Sequence, residues 1–552
     1  MKKRKMFAIA LVLACVCSLC SCGGGGQTGG DGTSALRVGW TSEPDVLNPL
    51  TSNSTESLQV TSLVYEPLVG YSANLETACK LAESYAYSDD GMTVTYRLRH
   101  GVKWHDDEDF TAEDVVGTYN IVRDCEFSKA SAYTGHLEKI YAQDDYTVVM
   151  EFSEPQAFNL AYAVPILPMH IWGGMSEEDI RLYADKAPIG TGPMRFVEWK
   201  QGDTVTLAGN ADYYGEEPGP PGIVFTRYGN EDAMVQALTA GDLDIVAELG
   251  PSAWESMPEL PDIRRVSLPG FSFHMVGINC SDSESSLGNP MLRDKTVRQA
   301  LSCAMDRVQI TEIALASHGL PGSSLLPPGL LGWHYDVPEP ERMDGDIEKA
   351  KKLLEGAGYT ETGGSGIREK DGQKMAFRMI AQESSPLDVQ AAQMFQSMAR
   401  EAGIELLLSI VDESAMAAAI FGGDAPDFDL FVWHRDSDCL DPSCLTGMLL
   451  TSQIGAANDV RYSNPEFDAL YLQQIVEMDP VKRKELVGEM QKIFYGDAAY
   501  LIMWNQDKLQ AYRTDRFAGW VETPGGVICN VTYDNYTNIK PLQAAERVSD
   551  ER

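Results

Sequence analysis

The stretch Phe431-Val-Trp-His-Arg-Asp-Ser-Asp-Cys-Leu-Asp-Pro-Ser-Cys concentrates the side chains best suited to hold another molecule. A short apolar strand, Phe428 to Trp433, stops abruptly in polar residues. In open α/β sheets, ligands collect at the carboxyl ends of strands, so an acid placed there can meet a cationic group. Asp436 supplies such an acid, with Asp438 as the fallback. A loop aspartate also commonly caps a turn, so residue type alone leaves both readings open. His434 and Arg435 either line the same pocket or face water. Cys439 and Cys444 stand close enough in sequence to bridge within the loop.

Catalytic chemistry finds little support. There is no Gly-x-Ser-x-Gly, no His-Glu-x-x-His and no Walker sequence, so neither nucleophilic nor zinc-protease hydrolysis is expected. Gly190-Thr-Gly could suggest a phosphate loop, but a strand follows it where a helix would be needed. The acid run Asp106-Asp107-Glu108-Asp109 sits on a turn and reads as solvated surface. His274 and His434 could serve a haem or metal chelate, although lone histidines are more often structural. No His-x-x-His or paired Cys-x-x-Cys accompanies the cysteines, so zinc is not expected and no cofactor is called for.

Several elements must position these residues. Asp89-Asp90-Gly91 is a hairpin turn signal, and beyond it Val94, Tyr96 and Leu98 alternate with polar residues as on a half-buried strand. Thr111 caps the next helix, with Asp114 in the place of a capping-box acid. Ala233–Ile245 reads as a helix, a Gly-Asp turn and a buried strand, one α/β unit. Asp294 caps a helix over Lys295–Ala304, Asp346 caps another that stops at glycine, and Asn464-Pro465 opens a third. A second α/β unit runs from Lys374 through a helix over Leu387–Glu401 to a strand over Ile404–Val411. Phe271–Asn279 and Tyr500–Trp504 read as extended segments crossing between two halves.

The block from Ala82 to Val116, with its strand, Trp104-His105 turn and Thr111-Ala-Glu-Asp-Val-Val helix, resembles the signature of the family 5 extracellular solute-binding proteins. Pro188-Ile-Gly-Thr-Gly-Pro-Met-Arg-Phe-Val-Glu-Trp is a second strong resemblance, and the matching order of pieces extends over roughly residues 36–540. The resemblance implies an α/β, two-lobed periplasmic-binding-protein fold closing over ligand like a flytrap, with an extra subdomain in the first lobe. Lobe I would comprise residues 36–74, 187–270 and 503–540, the extra subdomain 75–186, and lobe II 271–502. It further implies that Trp433 and Asp436 fill the places of a Trp and of an Asp that pairs with a peptide's α-ammonium. Glu383 stands where dipeptide-type members hold the ligand carboxylate with an arginine. Asn53-Ser54-Thr55, in a stretch resembling the family's first ligand-facing loop, and Trp504 are further candidates for ligand contact.

Lys2, Lys3, Arg4 and Lys5 precede an apolar run, Phe7 to Cys17, too short to span a bilayer; residues 1–22 read as a secretion signal. Leu19-Cys-Ser-Cys22 resembles a lipobox, which implies a lipid on Cys22; an ordinary signal peptide cut nearby is the plainer reading. Residues 23–35, rich in glycine, would be a flexible tether. The whole chain carries a formal charge of −37, and loss of the four basic leader residues takes it to near −41. Such a surface disfavours nucleic acid and anionic lipid as partners. Besides Cys22, seven cysteines survive processing, an odd number that leaves at least one thiol free within the chain. The expectation is a monomeric receptor, lipid-anchored to the outer face of the cytoplasmic membrane, that hands short peptides to an ABC permease and its ATPase subunits. A receptor for a nickel-type metal chelate or other cationic solute is the alternative within the fold, and an exported hydrolase the alternative outside it.

Overall fold

The computed structural model describes residues 35–542 apart from 53, 126–133, 158–161, 163, 185, 331, 362–363, 423–424, 438 and 530. The expected leader and most of the tether, with Cys22, lie outside the described residues, as do Asn53 and Asp438. One sheet of 11 strands runs through the molecule. Its order is Glu405–Val411, Ala376–Gln382, Leu430–Asp436, Ile263–Ile278, Tyr500–Arg513, Ile245–Val246, Leu36–Trp40, Gly222–Arg227, Thr204–Gly209 and Met194–Lys200, with Gly319–Pro321 alongside Tyr500–Arg513. Parallel pairing at each end marks two α/β halves: Leu36–Trp40 with Gly222–Arg227 and Ile245–Val246, and Ala376–Gln382 with Glu405–Val411 and Leu430–Asp436. Helices supply the crossovers, as parallel pairing requires.

The two long antiparallel strands, Ile263–Ile278 and Tyr500–Arg513, join the halves. The first begins eight residues before the Phe271 run that suggests it in the sequence. Pro269 and Gly270 fall in a register shift between Pro269 and Phe273, and the pairing resumes beyond it. The second continues nine residues past Trp504.

In the extra subdomain, four strands run in the order Ala82–Tyr87, Thr93–Leu98, Thr147–Phe152, Leu137–Asp144. Gly91 takes φ +71°, the left-handed geometry its turn needs. Val94, Tyr96 and Leu98 are buried while Arg97 is exposed, the alternation expected of a one-sided strand. Ahead of the helix Ala112–Asp124, the Thr111 amide donates to Asp114 Oδ2 at 2.9 Å. The other Asp114 oxygen accepts from the Met169 amide at 2.9 Å, so this capping acid also anchors a second helix. These side chains share one apolar cluster with Leu36, Val38 and Phe225; the subdomain is an extension of the first lobe's core.

In the second lobe, Asp294, Asp346 and Asn464 each accept from amides of the helices they precede, at 2.9, 2.8 and 2.9 Å. Two apolar clusters cover opposite faces of the strand Leu430–Asp436. Leu430 and Val432 belong to one, with Phe377 and Phe395; Phe431 belongs to the other, with Phe467 and Phe494. Among the described residues no helix is long and apolar enough to cross a membrane.

Candidate functional site

A cavity of about 1270 Å³ lies between the halves. The first lobe contributes the helix Thr55–Val64 through Leu58, Thr61 and Ser62, together with Glu66, Lys80, Arg99, Tyr213 and Tyr214. The second lobe contributes Asp436, Ser437 and the Cys439–Cys444 loop, and residues 531–534 also line the cavity.

Strand geometry decides what the Trp433–Asp436 pair can do. Successive side chains point to opposite faces, so residues three apart can never share one. Asp436 ends its strand opposite Ser272, half exposed, and lines the cavity. Trp433 points the other way, into the cluster with Phe431, and is not among the cavity's lining residues. Arg435 shares the Trp433 face. Its guanidinium pairs with the buried carboxylate of Asp459, which also accepts from the Tyr500 hydroxyl, so this cation serves the fold. His434 lies on the Asp436 face, with Nε2 3.8 Å from Asp436 Oδ2 and its ring stacked on His274.

The remaining candidates lie elsewhere. Glu383 is exposed in the turn after Ala376–Gln382, its amide donating to the Val411 carbonyl at 2.9 Å, and it is absent from the cavity wall. Ser54 caps the helix Thr55–Val64, accepting from the Ser57 amide at 3.1 Å and donating to Asp45 Oδ1 at 3.1 Å. Thr55 opens that helix; the cavity is reached only a turn later, at Leu58. Trp504 is fully buried in the apolar cluster with Phe377 and Phe395 and stacks on His274 at 4.6 Å. Its strand reads Leu-Ile-Met-Trp without alternation, so the sequence does not say which way the indole faces. Cys439 and Cys444 form a disulfide whose two residues both line the cavity. Among the described residues Cys79, Cys125, Cys280, Cys303 and Cys529 remain thiols.

Residues that sequence reasoning did not single out build the first-lobe wall. Glu66 is buried and accepts from Tyr213 Oη at 2.6 Å, Tyr214 Oη at 3.0 Å and Thr191 Oγ1 at 3.2 Å. Burial pushes its carboxyl from the usual 4.5 up to about 7, against the pull of those hydroxyls and of Lys80. Lys80 Nζ pairs with Asp534 at 2.8 Å, and Arg99 donates to the carbonyls of Lys80 and Cys79 at 2.6 and 3.2 Å. The adjacent Tyr213-Tyr214 pair was the available signal, but its partner lies 147 residues earlier. At one edge the Ala157 amide donates to the Ile475 carbonyl at 2.9 Å, a direct contact between the extra subdomain and the second lobe.

The family model described as bacterial extracellular solute-binding proteins, family 5 middle, matches residues 76–456. The oligopeptide-binding protein AppA of Bacillus subtilis is 30% identical over 503 residues, covering 85% of this chain and 88% of that protein. Protein XP55 of Streptomyces lividans is 27% identical over 527 residues, covering 93% and 91%. Among solved structures, AppA from Bacillus subtilis in complex with a nonapeptide superposes with a TM-score of 0.75 at 26% identity, over 92% of this chain and 99% of that one.

Proposed function

The chain belongs to the bacterial extracellular solute-binding proteins of family 5, and from that premise we propose that it captures short peptides between its lobes and delivers them to an ABC permease. The observation that carries the reading is Asp436: a half-exposed carboxylate at a strand end, on the wall of the interlobe cavity, with the His434 imidazole 3.8 Å away. A peptide's α-ammonium buried there loses its water and needs a charged partner. Asp436 supplies one through a charge-assisted hydrogen bond. The cavity volume of about 1270 Å³ exceeds the roughly 300–1,000 Å³ usual for small-molecule sites and suits an extended chain of several residues.

The lobes would follow the boundaries 36–74 with 187–270 and 503–540, and 271–502, with 75–186 as the added subdomain. Lipid on Cys22 would hold the monomeric receptor at the outer face of the cytoplasmic membrane, with ATP hydrolysis left to other subunits. Contacts on both lobes favour the shut form, since only differential affinity shifts a conformational population.

Calorimetry of a tight-binding library peptide tests the assignment. Asp436→Asn leaves the ammonium buried and unpaired and should cost about 2–5 kcal/mol, roughly 30- to 5,000-fold in affinity. Wild-type affinity in the variant would reduce Asp436 to a turn former. Peptide recovered shortened would point to a hydrolase instead.

A further inference from the structure

We propose that His274, His434 and Asp388 form a site for a single divalent transition-metal ion of the Zn²⁺ or Ni²⁺ class, at the joint between the second lobe and the first crossover strand. One ligand atom from each lies within 4.8 Å of the others, and among the described residues no other group of three or more His, Cys, Asp or Glu side chains gathers in this way. None of the three lines the large cavity, but His434 Nε2 stands 3.8 Å from Asp436 Oδ2, so the site lies directly beside the proposed partner of the peptide ammonium.

Three elements converge to build it. His274 and His434 face each other across antiparallel strands, and Asp388 projects from the helix Pro386–Glu401 that covers them. His274 is held tightly: it stacks on Trp504 at 4.6 Å and on His434 at 5.2 Å, with interplanar angles of 21° and 28°. Its Nδ1 lies 2.6 Å from Asp388 Oδ1, and the second Asp388 oxygen accepts from Ser385 Oγ at 2.7 Å. That hydroxyl is the kind of outer partner that orients a ligating carboxylate.

Two imidazoles and one carboxylate suit zinc, nickel or cobalt better than calcium or magnesium, which prefer all-oxygen sites. Metal–nitrogen and metal–oxygen distances near 2.0–2.2 Å set ligand atoms roughly 3.4 Å apart in a tetrahedron. His434 must therefore draw in by about an ångström, and the His274–Asp388 pair, at 2.6 Å, must open to that spacing as the ion takes the place of their hydrogen bond. His434, at 44% side-chain exposure, has the freedom to make that movement and leaves a coordination position open to water.

The surroundings favour a cation. A small cavity of about 100 Å³ on whose wall His274 lies also carries Glu248, Asp436 and Asp507 against the single cation Lys508. An excess of carboxylates raises the local concentration of divalent ions.

The test uses tag-free protein stripped with EDTA and titrated with NiCl₂ or ZnCl₂ alone. Wild type should take up one ion per chain, and His434→Ala should weaken that binding tenfold or more. The stripped variant should melt near wild type, because His434 is half exposed. Asp388→Asn should weaken binding comparably. As a second readout, Cu²⁺ bound to wild type should show electron-spin coupling to two imidazole nitrogens, falling to one in His434→Ala. Absence of uptake by wild type, or equal affinity in His434→Ala, overturns the proposal and leaves His274–Asp388 as a structural hydrogen bond.

Discussion

Arg435 and Asp436 are neighbours on one strand, yet the two faces of that strand treat charge in opposite ways. On the rear face Arg435 meets Asp459, whose other oxygen takes the Tyr500 hydroxyl, and the whole group lies under apolar cover beside Trp433. On the front face Asp436 stands half exposed on the cavity wall, with an imidazole nitrogen at 3.8 Å. A charge answered inside the protein holds the fold together. A charge left open at a cavity is what a ligand can answer. The first-lobe wall resembles the rear face: Glu66, Lys80 and Arg99 all touch the cavity, and each already has protein partners.

The largest effect should come from breaking the rear face. Arg435→Leu strands the Asp459 carboxylate, which is 3% exposed, and should cost about 3–5 kcal/mol of stability in a denaturant titration. At temperatures where the variant stays folded, peptide affinity should change little. A large loss of affinity with unaltered stability would reverse the roles assigned to the two faces.

Glu66 sharpens the contrast on the opposite wall. Its folded-state pKa of about 7 lies above the usual 4.5, so between those values the native protein binds more protons than the unfolded chain. Stability should therefore fall as pH rises from about 4.5 to 7, by roughly 3 kcal/mol, and level off above. Glu66→Gln should flatten that slope. An unchanged pH profile in the variant would mean that the wall tolerates the charge without cost.

The disulfide is a smaller lever. Closing the short Cys439–Cys444 loop is worth about 2 kcal/mol in the chain-entropy account, which the Cys439→Ser/Cys444→Ser pair should lose. Because both residues line the cavity, peptide affinity should fall with it, whereas Arg435→Leu should leave affinity alone.

Much of this architecture was legible in the sequence where local chemistry decides it. Thr111 with Asp114, Asp294, Asp346 and Asn464 announce helices because capping needs only neighbouring residues. The strand before Asp436 was legible but its end was not: the apolar run stops at Trp433, whereas the strand continues through His434 and Arg435 to Asp436. The face of Trp433 follows from simple counting along a strand, but only once the strand is known to run straight through to Asp436. Glu66 with Tyr213, and His274 with Asp388, were out of reach because each pair is more than 100 residues apart in sequence. The first crossover was read from its apolar run at Phe271, and its earlier part, which begins at Ile263 and passes through an irregularity after Pro269, carries no comparable run.

The smallest stability effect should be that of Asp436→Asn, within about 0.5 kcal/mol, because the carboxylate is half exposed and its His434 contact is long, at 3.8 Å. Its affinity carries the central claim. The direct measurement is calorimetry of a tight-binding peptide and its N-acetylated twin against wild type and Asp436→Asn. Acetylation removes the ammonium charge, so wild type should lose about 2–5 kcal/mol of binding while the variant, already without the carboxylate, loses far less. An equal penalty for acetylation in both proteins would contradict the account, because the ammonium would then find its partner somewhere other than Asp436.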